Sequence, residues 1–354
     1  MSNSKKNFVI LQYFRGIAAL LVLLHHITGL MYEEYGFQYN YLNGYFSPGW
    51  AGVDFFFVLS GFIIFYIHEK DLGDKTKFKP FLLKRVVRIY PIYWIATLLW
   101  LPIFLTFNDH RVSIMKSFLL FPQETTPVLQ VGWSLSYEML FYLILSLLIF
   151  LRPKYSLPIL SIWIVGILIN LPNIDQNLYQ HIIFSPYNIE FLLGVVAAYL
   201  VKRFNNRLGW LVLIVGITGF LLSWLSIQYG VFGKFTIARI LGFGLSSALI
   251  IGGSAAIDLR WSNLPRSNVL FYLGDASYSI YLIHFPVFRV LGKIFSVANI
   301  YNTLGLWLST TVILIITIII GCLFHTFVEN PMLKMLNTIL KRRKGKNEII
   351  KQAI

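Results

Sequence analysis

Charged side chains are scarce in this chain. Of its 354 residues, only 13% are Asp, Glu, Lys or Arg, whereas 57% are hydrophobic. Soluble domains carry about 25% charged residues, so this chain has too few charges to cover a large water-facing surface. The shortage argues against an ordinary soluble protein and predicts one unit embedded in a membrane.

Acidic residues are scarcer than basic ones, and cysteine is almost missing. The chain has 15 Asp and Glu against 30 Lys and Arg, which gives a net charge of +15. The basic residues lie in short stretches between apolar runs rather than on one polar domain. We therefore expect basic loops at a membrane surface and no nucleic-acid partner. The single cysteine, Cys322, excludes an internal disulfide.

Long apolar runs are what the sequence does have, and each is interpreted as a membrane-spanning helix of about 20 residues. They predict an all-α bundle of about ten transmembrane helices in one membrane domain, residues 1–333, followed by a basic cytoplasmic tail, residues 334–354. The run that follows Lys5 and Lys6 is too long for a cleaved signal. The predicted spans are Phe8–Leu30, Trp50–Ile67, Ile89–Phe107, Ser134–Leu151, Leu157–Leu171, Ile183–Val201, Leu208–Tyr229, Phe235–Ile257, Ser277–Phe295 and Leu304–Val328.

The distribution of basic residues predicts the orientation of the bundle. With the N-terminus in the cytoplasm, the inner connections and the tail hold 23 Lys and Arg, and the outer side holds 5, counting Arg289 and Lys293 at the end of the ninth span. Lys and Arg are enriched in cytoplasmic loops. We therefore expect a multi-pass protein of the cell membrane with both termini in the cytoplasm and with its basic tail at the lipid headgroups.

Several ionisable residues fall inside the predicted spans, where a charge costs about 2.5–3.5 kcal/mol and usually marks function. Arg15 is expected near the inner face. Because each helical residue rises about 1.5 Å, five others come to a similar depth in the outer half of the membrane: His26, Asp54, Glu138, Glu190 and Arg239. The alternative is that these residues form ion pairs that stabilise the bundle, for instance Arg239 with Glu190.

His26 is the candidate general base of such a site. The unperturbed pKa of histidine is near 6.5, and a neighbouring carboxylate can orient the ring and stabilise the imidazolium. We expect Asp54 or Glu138 to supply that carboxylate.

Arg85 and Arg88 are candidates for binding a phosphate-bearing donor. They are three residues apart and so share one helix face, and guanidinium groups suit phosphate oxygens. Anchoring by the positive-inside rule explains them equally well. His284, Arg289 and Lys293 follow one another along the ninth span, where they either line a donor path or extend to the membrane surface.

Further candidates lie at the outer ends of the spans. Trp133, Ser134 and Tyr137 are positioned to donate to a developing oxyanion, although Trp and Tyr at a span end also serve as interface anchors. Glu190 and Arg239 complete, with Trp133 and Tyr137, the set expected to bind the substrate. We expect no metal ion.

Seven short motifs occur in order along the chain: Arg15–Leu20 with His26, Gly52–Phe62, Arg85–Pro91, Trp133–Glu138, Glu190–Gly194, Ser277–His284 and Val328–Pro331. Together they resemble the signature of the acyltransferase-3 family of membrane O-acyltransferases, over nearly the whole chain. One such motif would be weak evidence, but seven in the right order form a strong signal.

The resemblance implies transfer of an acyl group, usually acetyl, from acyl-coenzyme A to a hydroxyl of a surface polysaccharide or of its lipid-linked precursor. It implies that His26 is essential and that Arg85 and Arg88 contact the coenzyme, with Arg15 as a third candidate. Besides the carbohydrate acceptor and membrane lipids, polysaccharide assembly machinery is a candidate partner. His25 and Gly132 depart from the usual pattern, which leaves the acceptor open.

Two other functions compete with this interpretation. A secondary transporter or proton-coupled pump also places His, Glu, Asp and Arg inside the membrane, but the sequence has no evident internal repeat or pair of broken helices. An inactive, scaffold-like relative in a polysaccharide assembly complex is the third reading. Retention of His26, Arg85 and Arg88 argues against it.

Overall fold

A computed structural model of the chain describes residues 8–31, 41–107, 112–171, 181–231, 233, 237–261 and 267–340. The regular structure within these ranges is entirely helical, as the sequence predicts. The α-helices are α1 Val9–Gly29, α2 Ala51–His68, α3 Lys75–Phe104, α4 Ile114–Leu119, α5 Gly132–Phe150, α6 Pro153–Ile169, α7 Asn188–Leu200, α8 Asn206–Gln228, α9 Ile237–Arg260, α10 Asn268–Val297, α11 Ile300–Leu304 and α12 Leu306–Phe324. A π-helical turn, His325–Glu329, continues α12 into a helical segment that ends at Leu340.

Eight helical segments of the described chain are long and apolar enough to cross a membrane. They correspond to eight of the ten predicted spans. The fifth and sixth predicted spans coincide with α6, which has 17 residues, and α7, which has 13. Both are shorter than the roughly 20 residues that a span requires, so the count of ten stays a prediction.

Among the described helices, α3 and α10 begin furthest ahead of the predicted spans. Helix α3 starts at Lys75 rather than at Ile89, and α10 starts at Asn268 rather than at Ser277. In both cases a capping side chain sets the start: Asp74 accepts a hydrogen bond from the backbone of Thr76, and Ser267 accepts one from that of Leu270. Apolar runs locate the span but not the polar turns that precede it.

Most of the predicted cytoplasmic tail lies outside the described residues. The predicted tail, residues 334–354, is described as far as residue 340, where it still belongs to the last helix. Lys5, Lys6 and the rest of the tail lie outside the described residues. The orientation of the termini stays a prediction.

Close helix packing brings the site-bearing helices together. Helix α1 lies along α10, α2 lies against α7 and α9, and α3 lies against α5. At the α2–α7 contact the backbones touch, because a Cβ atom on Gly61 would lie only 2.1 Å from the carbonyl oxygen of Phe191. Helices α1, α2, α3, α5 and α10 surround a polar cavity in the middle of this arrangement.

Candidate active site

A cavity of about 250 Å³ lies between α1, α2, α3, α5 and α10, and we call it the arginine cavity. Its polar lining consists of Arg15, Arg85, Arg88, Glu138, Ser60, Ser134, Tyr142, Ser277, Tyr278 and Tyr281. The structure thus brings together all three arginines that the sequence predicts for the donor, along with one predicted carboxylate. Their shared lining gives the cavity cationic groups whose chemistry suits an anionic ligand.

Arg85 and Arg88 project from one face of α3 into this cavity but differ in their partners. Arg88 donates a 2.7 Å hydrogen bond to Glu329 and lies over the ring of Tyr278. Its side chain is 37% exposed, so this wall of the cavity can be reached from outside the protein. Arg85 lies over the rings of Phe81 and Tyr142.

The guanidinium of Arg85 is held by rings alone. Among the described residues it has no hydrogen-bond or ion-pair partner, and its Nε is buried. An arginine usually satisfies its five N–H donors when it is removed from water. Arg85 therefore presents unused donors to the cavity.

Arg15 is anchored from two helices. Its guanidinium donates to the side-chain oxygen of Gln12 at 2.8 Å and to the hydroxyl of Ser277 at 3.3 Å. Gln12 in turn donates to Asp275. These bonds fix the α1 arginine against α10, in the cavity wall.

Glu138 lies in the arginine cavity rather than beside His26. Its carboxylate accepts hydrogen bonds from the hydroxyls of Ser60, at 3.0 Å, and of Tyr142. About one turn earlier on α5, Ser134 shares a 2.7 Å hydrogen bond with the hydroxyl of Tyr281. Polar groups of α2, α5 and α10 therefore meet along the cavity.

His26 lies just beyond the cavity, on the far side of Tyr281. It is not part of the lining, but the ring of His284 contacts both Tyr281 and His26, with centroid distances of 5.8 and 5.0 Å. The Nδ1 atom of His26 is 3.1 Å from the carbonyl oxygen of Val22 and 3.1 Å from Nε2 of His284.

The expected pairing of His26 with Asp54 or Glu138 is wrong in this structure. Both carboxylates are described, and neither forms a hydrogen bond with the imidazole. Glu138 is engaged by two hydroxyls, and Asp54 is engaged by an arginine. Depth estimated from residue number along separate spans was therefore not enough to identify which side chains contact one another.

Asp54, Glu190 and Arg239 form a second polar group, which we call the Asp54–Arg239 cluster. Arg239 donates to Asp54 at 3.1 Å, donates to the hydroxyl of Tyr187 and lies 3.6 Å over the ring of Trp50. The sequence predicted, as one alternative, an ion pair between Arg239 and Glu190; in the structure Arg239 forms an ion pair with Asp54, and Glu190 lies close enough to feel both charges. Asp54 and Glu190 are both fully buried, and neither oxygen of Glu190 has a hydrogen-bond partner in the described part of the chain.

Trp133 and Tyr137 pack in an aromatic core rather than on the arginine cavity. Their rings contact each other, and both contact Phe57 and Tyr187. Tyr137 is fully buried. The neighbouring Ser134 is the residue of this segment that lines the cavity.

Sequence reasoning missed the parts played by His284 and Glu329. His284 is fully buried and contacts His26, instead of lining a donor path. Glu329, in the last motif of the chain, binds Arg88, Ser279 and His325. Both residues lie within motifs of the sequence, which could have marked them as functional. Spacing within one helix, however, does not reveal a partner on another helix.

Comparison with known proteins identifies the family of the chain. A family model described as "Acyltransferase domain", of the Acyl_transf_3 family, matches residues 8–326. The exopolysaccharide production protein ExoZ of Rhizobium meliloti (strain 1021) is 28% identical, over 82% of this chain and 91% of the relative. The acyltransferase MdmB of Streptomyces mycarofaciens is 26% identical, over 91% of this chain and 90% of the relative.

A protein of Staphylococcus aureus (strain COL), whose name proposes O-acetyltransferase activity, is 26% identical over 77% of this chain, and the match spans 49% of that protein. No solved structure is a significant match to the chain. Because the family model covers nearly the whole chain, including α1, α2, α3, α5 and α10, the assignment does not depend on any single motif. This chain belongs to the acyltransferase-3 family and is a multi-pass membrane acyltransferase.

Proposed function

We propose that this protein transfers an acetyl group from acetyl-coenzyme A, on the cytoplasmic side of the cell membrane, to a hydroxyl of a surface polysaccharide or its lipid-linked precursor. The observation that carries the proposal is the convergence of Arg15, Arg85 and Arg88 on one cavity, with the donors of Arg85 unused. Three guanidinium groups face two carboxylates, Glu138 in the lining and Glu329 on Arg88, so an excess of positive charge remains that suits a phosphate-bearing ligand.

The donor would bind with its phosphates at Arg85 and Arg88 and its pantetheine arm along the cavity. Arg88 is partly exposed and so marks the entry. Tyr281 lies about one turn beyond Ser277 along α10 and borders His284. A thioester that advances towards Tyr281 therefore approaches His26, and the side chains at this end of the cavity have to rearrange before the two meet.

The chemistry would be acyl transfer assisted by a general base. The acceptor hydroxyl gives its proton to Nε2 of His26 as its oxygen attacks the thioester carbonyl. A new C–O bond forms, the C–S bond breaks, and the leaving thiolate takes the proton from the imidazolium and departs as a thiol. Ser134 and Tyr281, which share a hydrogen bond at the cavity wall, are candidates to donate to the developing oxyanion.

The names of two relatives support a carbohydrate acceptor. The name of the relative ExoZ ties that protein to exopolysaccharide production, and the name of the Staphylococcus aureus relative proposes O-acetylation. The acceptor would enter from the end of the bundle opposite to the donor. On this proposal the enzyme works beside polysaccharide assembly machinery.

Labelled donor supplied to purified protein in liposomes tests the proposal against the transporter alternative. Acetyl-coenzyme A carrying label in the acetyl group is presented with a panel of oligosaccharides, and label is followed into carbohydrate. We expect wild-type protein to transfer label and His26→Ala to lose transfer, by about 10²–10⁴-fold for a general base. Arg203→Ala is the matched control, because Arg203 is an exposed arginine that contacts Tyr199. Flux of an unmodified solute without label transfer would contradict the proposal.

A further inference from the structure

Two histidine rings from different helices are paired beside the arginine cavity. His26 lies on α1 and His284 on α10, which run side by side. Nε2 of His284 is 3.1 Å from Nδ1 of His26, and Nδ1 of His284 is 2.6 Å from the carbonyl oxygen of Tyr281. His284 is fully buried, so it has no water to satisfy its ring nitrogens.

The three contacts of this pair admit one arrangement of protons on two neutral rings. A carbonyl oxygen only accepts, so Nδ1 of His284 carries a proton and donates to Tyr281, and its Nε2 is an acceptor. Nδ1 of His26 then carries a proton too, and it donates to Nε2 of His284 and to the carbonyl oxygen of Val22. The opposite assignment would place acceptors against acceptors at both carbonyls. In the arrangement that satisfies every contact, Nε2 of His26 is bare.

We propose that His284 is a positioning residue that holds His26 in the tautomer whose Nε2 can take the proton of the acceptor hydroxyl. The inference rests on the proposed function, since a bare Nε2 matters only if His26 is the base. When His26 becomes an imidazolium, its Nδ1–H still donates to His284 and Val22. The ring therefore keeps its orientation through the reaction.

A neutral partner suits this position better than a carboxylate. An unpaired carboxylate inside a membrane protein is costly, and the two carboxylates expected here are already engaged elsewhere. An imidazole supplies the same acceptor without a second buried charge. The cost is weaker stabilisation of the imidazolium than a carboxylate would give.

Two substitutions at His284 separate positioning from packing. The side-chain oxygen of His284→Gln reaches about as far as Nε2 and can accept from His26, whereas His284→Leu fills the space without an acceptor. We expect the Leu variant to lose about tenfold in kcat, since one hydrogen bond is removed, and the Gln variant to stay within about threefold of wild type. The KM for acetyl-coenzyme A should change in neither. Phe295→Leu, further along α10, is the control for lost packing.

Nitrogen-15 NMR of histidine-labelled protein reports the tautomer without reference to activity. His26 is assigned by the signals that vanish in His26→Ala. We expect protonated Nδ1 and bare Nε2 in the wild-type and His284→Gln proteins, and a mixture of tautomers in His284→Leu. An unchanged tautomer in His284→Leu, or equal kcat losses in the Leu and Gln variants, would overturn the inference. If wild-type protein transfers no label, the proposed function fails and with it the catalytic part of the inference, while the NMR result still decides whether His284 sets the tautomer.

Discussion

The two polar groups inside this bundle differ in what surrounds their charges. In the arginine cavity, Arg88 is 37% exposed, Arg85 has unused donors and there is a volume of about 250 Å³. In the Asp54–Arg239 cluster, the acidic groups are fully buried and the ring of Trp50 lies 3.6 Å from the guanidinium. Both are ionisable groups within apolar helices, but the first has room for a ligand and the second is filled by its own side chains.

This difference leads us to expect a ligand site where free space accompanies the buried charges, and a structural role where it does not. The cost of a charge in the membrane applies equally to both groups. In the cluster, the cost is offset by an ion pair and by stacking on an aromatic ring. In the cavity, the hydrogen-bond donors of the arginines are only partly used by the protein, so a ligand can bind to those that remain.

The largest effect is expected from breaking the Asp54–Arg239 cluster. Arg239→Ala leaves Asp54 and Glu190 buried without a cation, which costs about 3–5 kcal/mol. We expect little folded protein after detergent extraction and a strongly lowered thermal midpoint. The triple variant Asp54→Leu, Glu190→Gln, Arg239→Met removes the charges together and should recover stability. Recovered stability without recovered transfer would instead assign the cluster to acceptor binding.

A smaller effect on transfer, expressed in the KM for the donor, is expected when Arg88 in the arginine cavity is replaced. Arg88→Ala removes a charge-assisted contact worth about 1.5–3 kcal/mol, so the KM for acetyl-coenzyme A should rise about tenfold to a hundredfold. The KM for the acceptor should hardly change, whereas the thermal midpoint should fall, because the buried carboxylate of Glu329 loses its cation and keeps only Ser279 and His325. Equal values for Arg88→Ala and for the control Arg203→Ala would show that Arg88 is only an anchor.

A weaker effect should follow when Arg88 is kept and its partner is changed. Glu329→Gln preserves the shape of a buried side chain that contacts Ser279 and His325 but removes the charge that holds Arg88. We expect a rise of about threefold to tenfold in the KM for the donor, because a less restrained guanidinium loses more entropy on binding. A lower KM would mean that Glu329 competes with the donor for Arg88.

The smallest effect on stability and transfer is expected from breaking an ion pair outside both polar groups. Lys202 pairs with Glu69 at the protein surface, and exposed pairs contribute about 0–1 kcal/mol. Lys202→Ala should therefore leave both the thermal midpoint and the transfer rate close to wild type. A large loss of stability would show that charge number matters more here than charge environment.

The sequence predicted the helical membrane fold and the cavity arginines for a simple reason. Apolar length identifies spans, and the spacing of Arg85 and Arg88 within α3 fixes their common face. Helix α7 shows the limit of this approach, because it begins at Asn188, whereas the apolar run predicts a span from Ile183. The polar starts of α3 and α10 depend on capping by Asp74 and Ser267 instead.

Apolar length and residue spacing could not predict which side chains of different helices contact one another. Depth along separate spans suggested that His26 meets Asp54 or Glu138, but depth does not fix the direction in which each helix faces. That direction follows from backbone packing, such as the approach of Gly274 on α10 to the carbonyl oxygen of Gln12 on α1. The same packing of α1 on α10 presents His284 to His26.

The acyl content of surface glycan, measured by mass spectrometry, tests most directly whether His26 carries the transfer. Cells producing wild-type protein, His26→Ala and Arg203→Ala are compared at equal levels of protein in the membrane. We expect acylated glycan with the wild-type and Arg203→Ala proteins and its loss with His26→Ala. Equal acylation in all three would contradict it.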